Sequence, residues 1–468
     1  MGGTSFRQGG LSLENLADLY VSAKQVERVV RRIGAERCDQ RDAEVEAFIS
    51  LPLVEKSKAP PGVTPPNLAV VMADGGRLQI LRRSQPADDK ANPEQNQPDP
   101  PGKGQTAATP SNADGRPPGT SQARPADSAA SRDSADSLPP LPDDAEEDAD
   151  TPVRDPSSRS KHWREDKVGL LLQMSSPLGK EDPCPDIPPH FIEQKRIDKL
   201  TRELKAKARG KVIQADNSGT TAADVISTAD GSEEAKGKAS KDERPSWDPP
   251  ELERRKVVAT RRSWRCFGPM LAAAAWSLGF FRATRRAFLG DGSSSVWGVW
   301  RRHFSTFVPI LDFIHALSYV YWAAMAGRSL TEGWEVYKRW IVWVWQGEVA
   351  KVIAAVRQRL QEVSLLDKES SAVVVLQETL TFLENHKGQM KYDEYRQQRL
   401  PITTSHVESE IKRINHRVKG TEKFWSEDGA EYILQLRADY LSDDKPMDAF
   451  WHNRQAEETG QRRYRKHS

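Results

Sequence analysis

Residues 68–81 read LAVVMADGGRLQIL, and the fold turns on them. Leu68 to Ala73 is a continuous apolar run, the pattern of a strand buried on both faces. Asp74-Gly75-Gly76 follows, then a second apolar stretch from Leu78 to Leu81, so the segment is expected to form two strands joined by a tight turn. Beyond a long polar tract, Lys167 to Met174 (KVGLLLQM) is a third strand candidate, and the three are expected to pair as a meander. A helix is expected through Cys266 to Arg286, then a short strand at Ala287-Phe288-Leu289 that ends in Gly290-Asp291-Gly292. Another strand, Phe307 to Leu311, ends in Asp312. From Phe313 to about Glu384 the pattern is helical and rich in tryptophan, and more helix runs from Ser405 to Ser442. At the start of the chain, Leu16, Leu19, Val26, Val29 and Val30 carry a helical pattern that breaks around Ser22. It fits a small helical bundle as well as a DNA-reading helix-turn-helix.

The resulting order of strand, strand, strand, helix, strand, helix, strand, helix is the one found in α/β ribonuclease H-like folds. Composition sets its limits. The chain has 468 residues with 31 prolines and a mean hydropathy of −0.69, so part of it is not expected to fold. Residues 84–160 hold 14 of those prolines, almost no large apolar side chain, and 15 acidic against 7 basic residues. They are expected to be disordered, because such a segment cannot bury enough surface to offset its ordering entropy. Their net charge of −8 leaves +10 on the rest of a chain whose total is +2, a pointer to a polyanionic partner. A second polar linker is expected over residues 209–250. Cys38, Cys184 and Cys266 lie far apart with no CxxC pair, which excludes a disulfide framework and a cysteine-rich zinc module and suits a reducing, cytoplasmic compartment. Cys266 to Phe281 is the longest uncharged apolar stretch; at 16 residues, with two glycines and a proline, it is too short to span a membrane.

Several acids could carry chemistry. Asp74 and Asp291 both stand where an apolar strand gives way to glycine, and carboxylates at the ends of neighbouring strands suit a hard cation such as Mg²⁺. Each also has an ordinary reading, Asp74 as a hairpin turn residue and Asp291 as a helix N-cap. Glu408 follows Ser405 by three residues and completes a capping box at a helix start. Asp312 and His315 share a helix face, as metal ligands or, the favoured reading, as a histidine donating to an acid in the core. Lys412, Arg413, Arg417, Lys419 and Lys423 form a basic stripe suited to phosphate contacts and equally common on solvated helices. There is no GxxxxGK[ST], HExxH, GxSxG or CxxC, so nucleotide-driven motors, zincins and serine hydrolases are poor candidates.

Taken in order, Asp74-Gly75-Gly76, HWREDKVGLLLQM, FLGDGSSSVWGVW, FVPILDFIHALSYV, LPITTSHVESEIKRINHRVKGTEKFW and GAEYILQLRADYLSDD resemble the DDE transposases of bacterial insertion sequences, the Kra-type group and its Mutator-like relatives. The resemblance covers about half the chain and is most specific from Leu400 to Trp425. It implies a ribonuclease H-like core with a helical insertion and a helical N-terminal region. Asp74, Asp291 and Glu408 then form a catalytic set holding two Mg²⁺ or Mn²⁺ ions. Asp312 matches a further acidic position, and the motif does not decide which of Asp291 and Asp312 binds metal. The implied reaction is cleavage and joining of DNA at transposon ends and target, with a homo-oligomer expected and no membrane partner. The implied organisation is an N-terminal region at 1–60, core segments at 66–83, 161–208 and 251–320, linkers at 84–160 and 209–250, a helical insertion at 321–399, a catalytic helix region at 400–450 and a basic tail at 451–468. A transposase-derived DNA-binding protein without catalysis is the alternative, motivated by the short N-terminus and the acidic linkers.

Overall fold

The computed structural model describes residues 5–80, 162–179, 181–208, 250–367, 370–419 and 423–455. The expected linkers, 84–160 and nearly all of 209–250, lie outside the described residues. What is described is a mixed α/β structure around one six-stranded sheet.

The decisive stretch forms a single strand. Leu68–Ile80 (β1) runs straight through Asp74-Gly75-Gly76, and the expected turn is absent. The reason is its neighbour. Trp163–Ser175 (β2) is equally long and pairs antiparallel with β1 from Leu68↔Met174 to Gln79↔Trp163, so the glycines stay in the ladder instead of turning out of it. A third antiparallel strand, Glu251–Thr260 (β3), pairs with β2 and was missed in the sequence, where its first half is charged. That half is exposed and only Val257–Thr260 is buried, as suits a sheet edge protected by charge. On the other side of β1 the pairing turns parallel, first with Arg285–Gly290 (β4), then from β4 to Val308–Leu311 (β5). The strand order is β3-β2-β1-β4-β5, and the two-residue β6 (Phe424–Trp425) pairs with the far end of β1.

Helices cover the sheet. Phe6–Ala17 (α1) and Ala23–Ser50 (α2) break at Ser22 as expected, because Ser22 caps α2 through a complete capping box with Gln25. The second is a long helix of 28 residues. A single turn, Leu53–Lys56 (α3), leads into β1, and Gln194–Ala208 (α4) lies between β2 and β3. Trp264–Ser277 (α5) packs on β2, where Gly169 leaves no room for a Cβ beneath Leu271 and Phe267. Ser294–His303 (α6) links β4 to β5, and Phe313–Met325 (α7) leaves β5.

Leu330–Trp345 (α8), Val349–Leu366 (α9), Ser371–His386 (α10) and Tyr392–Gln397 (α11) make the helical region that follows. Its tryptophans divide: Trp334, Trp340 and Trp345 are buried, while Trp322 and Trp343 stay half exposed. Arg396 stacks 4.0 Å from the Trp345 ring and pairs with Asp182. Ser405–Val418 (α12) lies against β1 and β2. Glu427–Leu441 (α13) packs on α2 and β3, and Pro446–Arg454 (α14) closes the described chain.

Candidate functional site

Strand register brings three of the acids into one row. The β1–β4 pairing ends at Met72↔Leu289, and continued by two residues it sets Asp74 level with Asp291. The β4–β5 pairing ends at Gly290↔Leu311, and one further step sets Asp291 level with Asp312. By that continuation Asp74, in the middle of β1, falls level with Asp291 just past the end of β4 and with Asp312 just past the end of β5.

Asp74 is nearly buried and accepts from the Gly75 N–H at 2.7 Å. Asp291 accepts from the Ser293 N–H at 3.0 Å, so it braces the loop, while Ser293 is the N-cap of α6. The helical region pins that loop. Gly292 takes φ +100°, open to glycine and rarely to other residues, and a Cβ there would come within 2.8 Å of Phe382 on α10. Phe382 in turn stacks on Tyr319 with ring centroids 3.7 Å apart.

Asp312 is committed to structure. It caps α7, accepting the His315 N–H at 2.9 Å, and its other oxygen accepts the Thr404 N–H at 2.7 Å. His315 Nδ1 lies 2.6 Å from Asp312, which matches the reading of a histidine that donates to a core acid. Burial alone would lower the His315 pKa. The bond to Asp312 and the charges of Asp312, Asp291 and Glu408 outweigh it and raise the pKa to about 9. The charges of Asp291 and Glu408 act on His315 in the same sense as that of its direct partner Asp312.

Glu408 is buried in the first turn of α12, but the expected capping box is not there. Thr404 is the N-cap, and its side chain makes no cap hydrogen bond. Ser405 already belongs to the helix because Asp312 holds the Thr404 N–H and so sets the helix start one residue earlier.

The basic stripe divides. Lys412 and Arg413 are exposed, Arg413 pairing with Glu410 at 2.7 Å. Lys419 sits 5.4 Å from the Trp163 ring, and Lys423 donates to the His416 carbonyl at 3.0 Å. Arg417 is buried between Phe6 and Trp425, at 4.8 and 5.2 Å from their ring centroids, and cannot belong to a solvated face. Burial, helped by the like charge of Arg437, lowers its pKa to about 10.

Sequence reasoning passed over Asp166. It is fully buried on β2, and among the described residues neither carboxylate oxygen has a hydrogen-bond partner. Its only signal was parity: 166, 168, 170 and 172 share one face of the strand, and the last three are core residues.

The donors fit a hard divalent cation, since Asp74, Asp291 and Glu408 offer oxygen alone. Among the described residues no three His, Cys, Asp or Glu side chains converge closely enough to hold a metal ion as they stand. Nor is any described helix long and apolar enough to cross a membrane. No family model, curated protein or solved structure matches the chain.

Proposed function

We propose that the chain is a metal-dependent DNA strand-transferase on a ribonuclease H-like core, of the DDE transposase kind. The observation that supports this most is the register, which when continued sets Asp74, Asp291 and Asp312 level across the central strands of a 3-2-1-4-5 sheet, with α12, which carries Glu408 in its first turn, packed against β1 and β2. Asp74, Asp291 and Glu408 would hold two Mg²⁺ or Mn²⁺ ions; Asp312 is left out because both its oxygens are engaged. When bound, the cations would stabilise charge on the entering and leaving oxygens of the phosphodiester. The protein's own part is positioning. His315 and Asp312 fix the starts of α7 and α12, Gly292 and Phe382 hold the Asp291 loop, and Lys412, Arg413, Lys419 and Lys423 supply phosphate contacts.

The test is nicking and joining of DNA carrying the flanking inverted repeats, in Mg²⁺ or Mn²⁺. Asp74→Asn, Asp291→Asn and Glu408→Gln should each lower the rate by about 10³-fold or more, the several kcal/mol of charge stabilisation supplied by metal ions, while DNA binding stays. Rates equal to wild type in the variants would sink the proposal.

A second reading is a DNA-binding derivative without catalysis, favoured by the lack of three converging ligands among the described residues. It shares salt-sensitive DNA binding but gives no nicking by the wild type. Both readings expect Lys412→Ala to reduce the slope of log affinity against log salt by about 1. Arg417→Ala should instead lower the melting temperature, through loss of its packing against two aromatic rings. An unchanged slope in Lys412→Ala would remove that residue from the interface.

A further inference from the structure

Asp166 lies on β2, on the same face of the sheet as Asp74. In the β1–β2 register Asp74 faces Val168 and Gly76 faces Asp166, so Asp74 and Asp166 project from one face, two positions apart along the ladder. The carboxylate lies across Gly76: a Cβ there would come within 2.7 Å of both Asp166 oxygens. On the opposite face a Cβ at Gly75 would come within 2.7 Å of a Glu165 oxygen. The double glycine after Asp74 therefore clears β1 on both faces for acids from β2, a role that no turn explains.

The surroundings leave Asp166 without a counterpart. Lys167 points to the other face and pairs with Glu165 at 3.3 Å. Lys419, at the end of α12, acts on Asp166 only weakly, as the smallest of the influences on its charge. A fully buried carboxylate with no donor on either oxygen is costly and rare, and needs a proton or a cation to be satisfied.

We propose that Asp166 is a divalent-cation ligand beside Asp74, a further acid contributed by β2. The inference rests on reading this cleft as the metal site for phosphodiester chemistry. Mg²⁺ keeps several waters and is commonly held by one or two carboxylates plus substrate phosphates. A site formed by Asp74 and Asp166 would take its remaining ligands from water and phosphate.

The test is titration of the full chain with Mn²⁺, by calorimetry and by the Mn²⁺-induced rise in melting temperature, on wild type, Asp166→Asn, Gly76→Ala and Asp74→Asn. Asp166→Asn is expected to weaken Mn²⁺ at least about tenfold, a loss on the scale seen at metal sites, and to shrink the temperature rise. Gly76→Ala keeps the carboxylate but displaces it and should show the same loss, so the question stays answerable if either variant folds poorly. Mn²⁺ affinity unchanged in Asp166→Asn but lost in Asp74→Asn overturns the role of Asp166 and leaves the transposase reading standing. Affinity lost in Asp166→Asn with no nicking by the wild type keeps the cation site and removes the strand-transferase reading. Absence of Mn²⁺ binding by the wild type overturns both.

Discussion

Glu431→Ala is expected to destabilise the protein by about 3–5 kcal/mol, the cost of leaving a buried charge without its partner. Glu431 lies on α13 and joins three elements. It accepts from Arg41 Nη1 of α2 at 2.8 Å, from Thr260 Oγ1 at the end of β3 at 2.7 Å, and from the Arg261 N–H at 2.9 Å. Arg262 approaches the same carboxylate at 3.7 Å and also pairs with Asp42 at 2.7 Å. Arg41 and Glu431 are both buried, so water cannot replace the lost carboxylate. Two neighbours would then suffer at once, the Arg41 guanidinium and the backbone donor at Arg261. Glu431→Gln keeps the shape and one acceptor and should cost less than the alanine. The measurement is the urea midpoint at unchanged m-value. A loss under about 1 kcal/mol would mean that Asp42 and Gln435, the other acceptors of Arg41, compensate it. The same pairs carry a structural consequence. With Arg37 to Asp439 at 3.0 Å, they tie the long N-terminal helix to α13 through buried charges, and Thr260 links Glu431 on to β3. That docking favours the helical-bundle reading of the N-terminus over a free DNA-reading module.

What the sequence made legible follows its apolar runs. The strands at Ala287–Leu289 and Phe307–Leu311 were readable because each is a short apolar burst closed by an acid, and β4 and β5 lie there. The break at Ser22 was readable because capping is local chemistry. Asp74-Gly75-Gly76 misled for the same reason: Asp-Gly favours a turn locally, but twelve consecutive pairs with β2 hold it extended, and a partner more than eighty residues away cannot be read from the motif. β3 was missed because its charges serve an exposed edge. At Glu408 the Ser405 signal was one residue out of phase, since the helix start is set by Asp312 from another part of the chain. The row of acids was half legible. Motif position marked Asp74, Asp291 and Glu408, whereas only register showed Asp166 opposite Gly76 and on the same face as Asp74, hidden in the run Trp163-Arg164-Glu165-Asp166.

Asp166→Asn is expected to stabilise the metal-free protein at pH 8 by up to about 4 kcal/mol, three pKa units at 1.36 kcal/mol each. Burial pushes the Asp166 carboxyl from the ordinary 3.8 to about 7. Glu165 adds to the rise, and its own backbone N–H, Lys167 and Lys419 pull it back without reaching hydrogen-bond geometry on either oxygen. The folded state therefore holds a proton that the unfolded chain has released. Below about pH 4 both states are protonated and the group contributes nothing to the pH dependence. Between pH 4 and 7 unfolding releases a proton, so stability falls as pH rises, and above pH 7 the whole penalty is present. Asparagine does not titrate, so the gap between variant and wild type should open from pH 5 to pH 8. Denaturant unfolding in the presence of a chelator measures it. A gap of equal size at both pH values would place its origin in packing and not in the charge. Saturating Mn²⁺ provides the converse: a bound cation would relieve the buried carboxylate, so the advantage of asparagine at pH 8 should shrink or reverse. Such a reversal would tie the cost of burying Asp166 to cation binding, because a bound cation stabilises the charged form that burial disfavours.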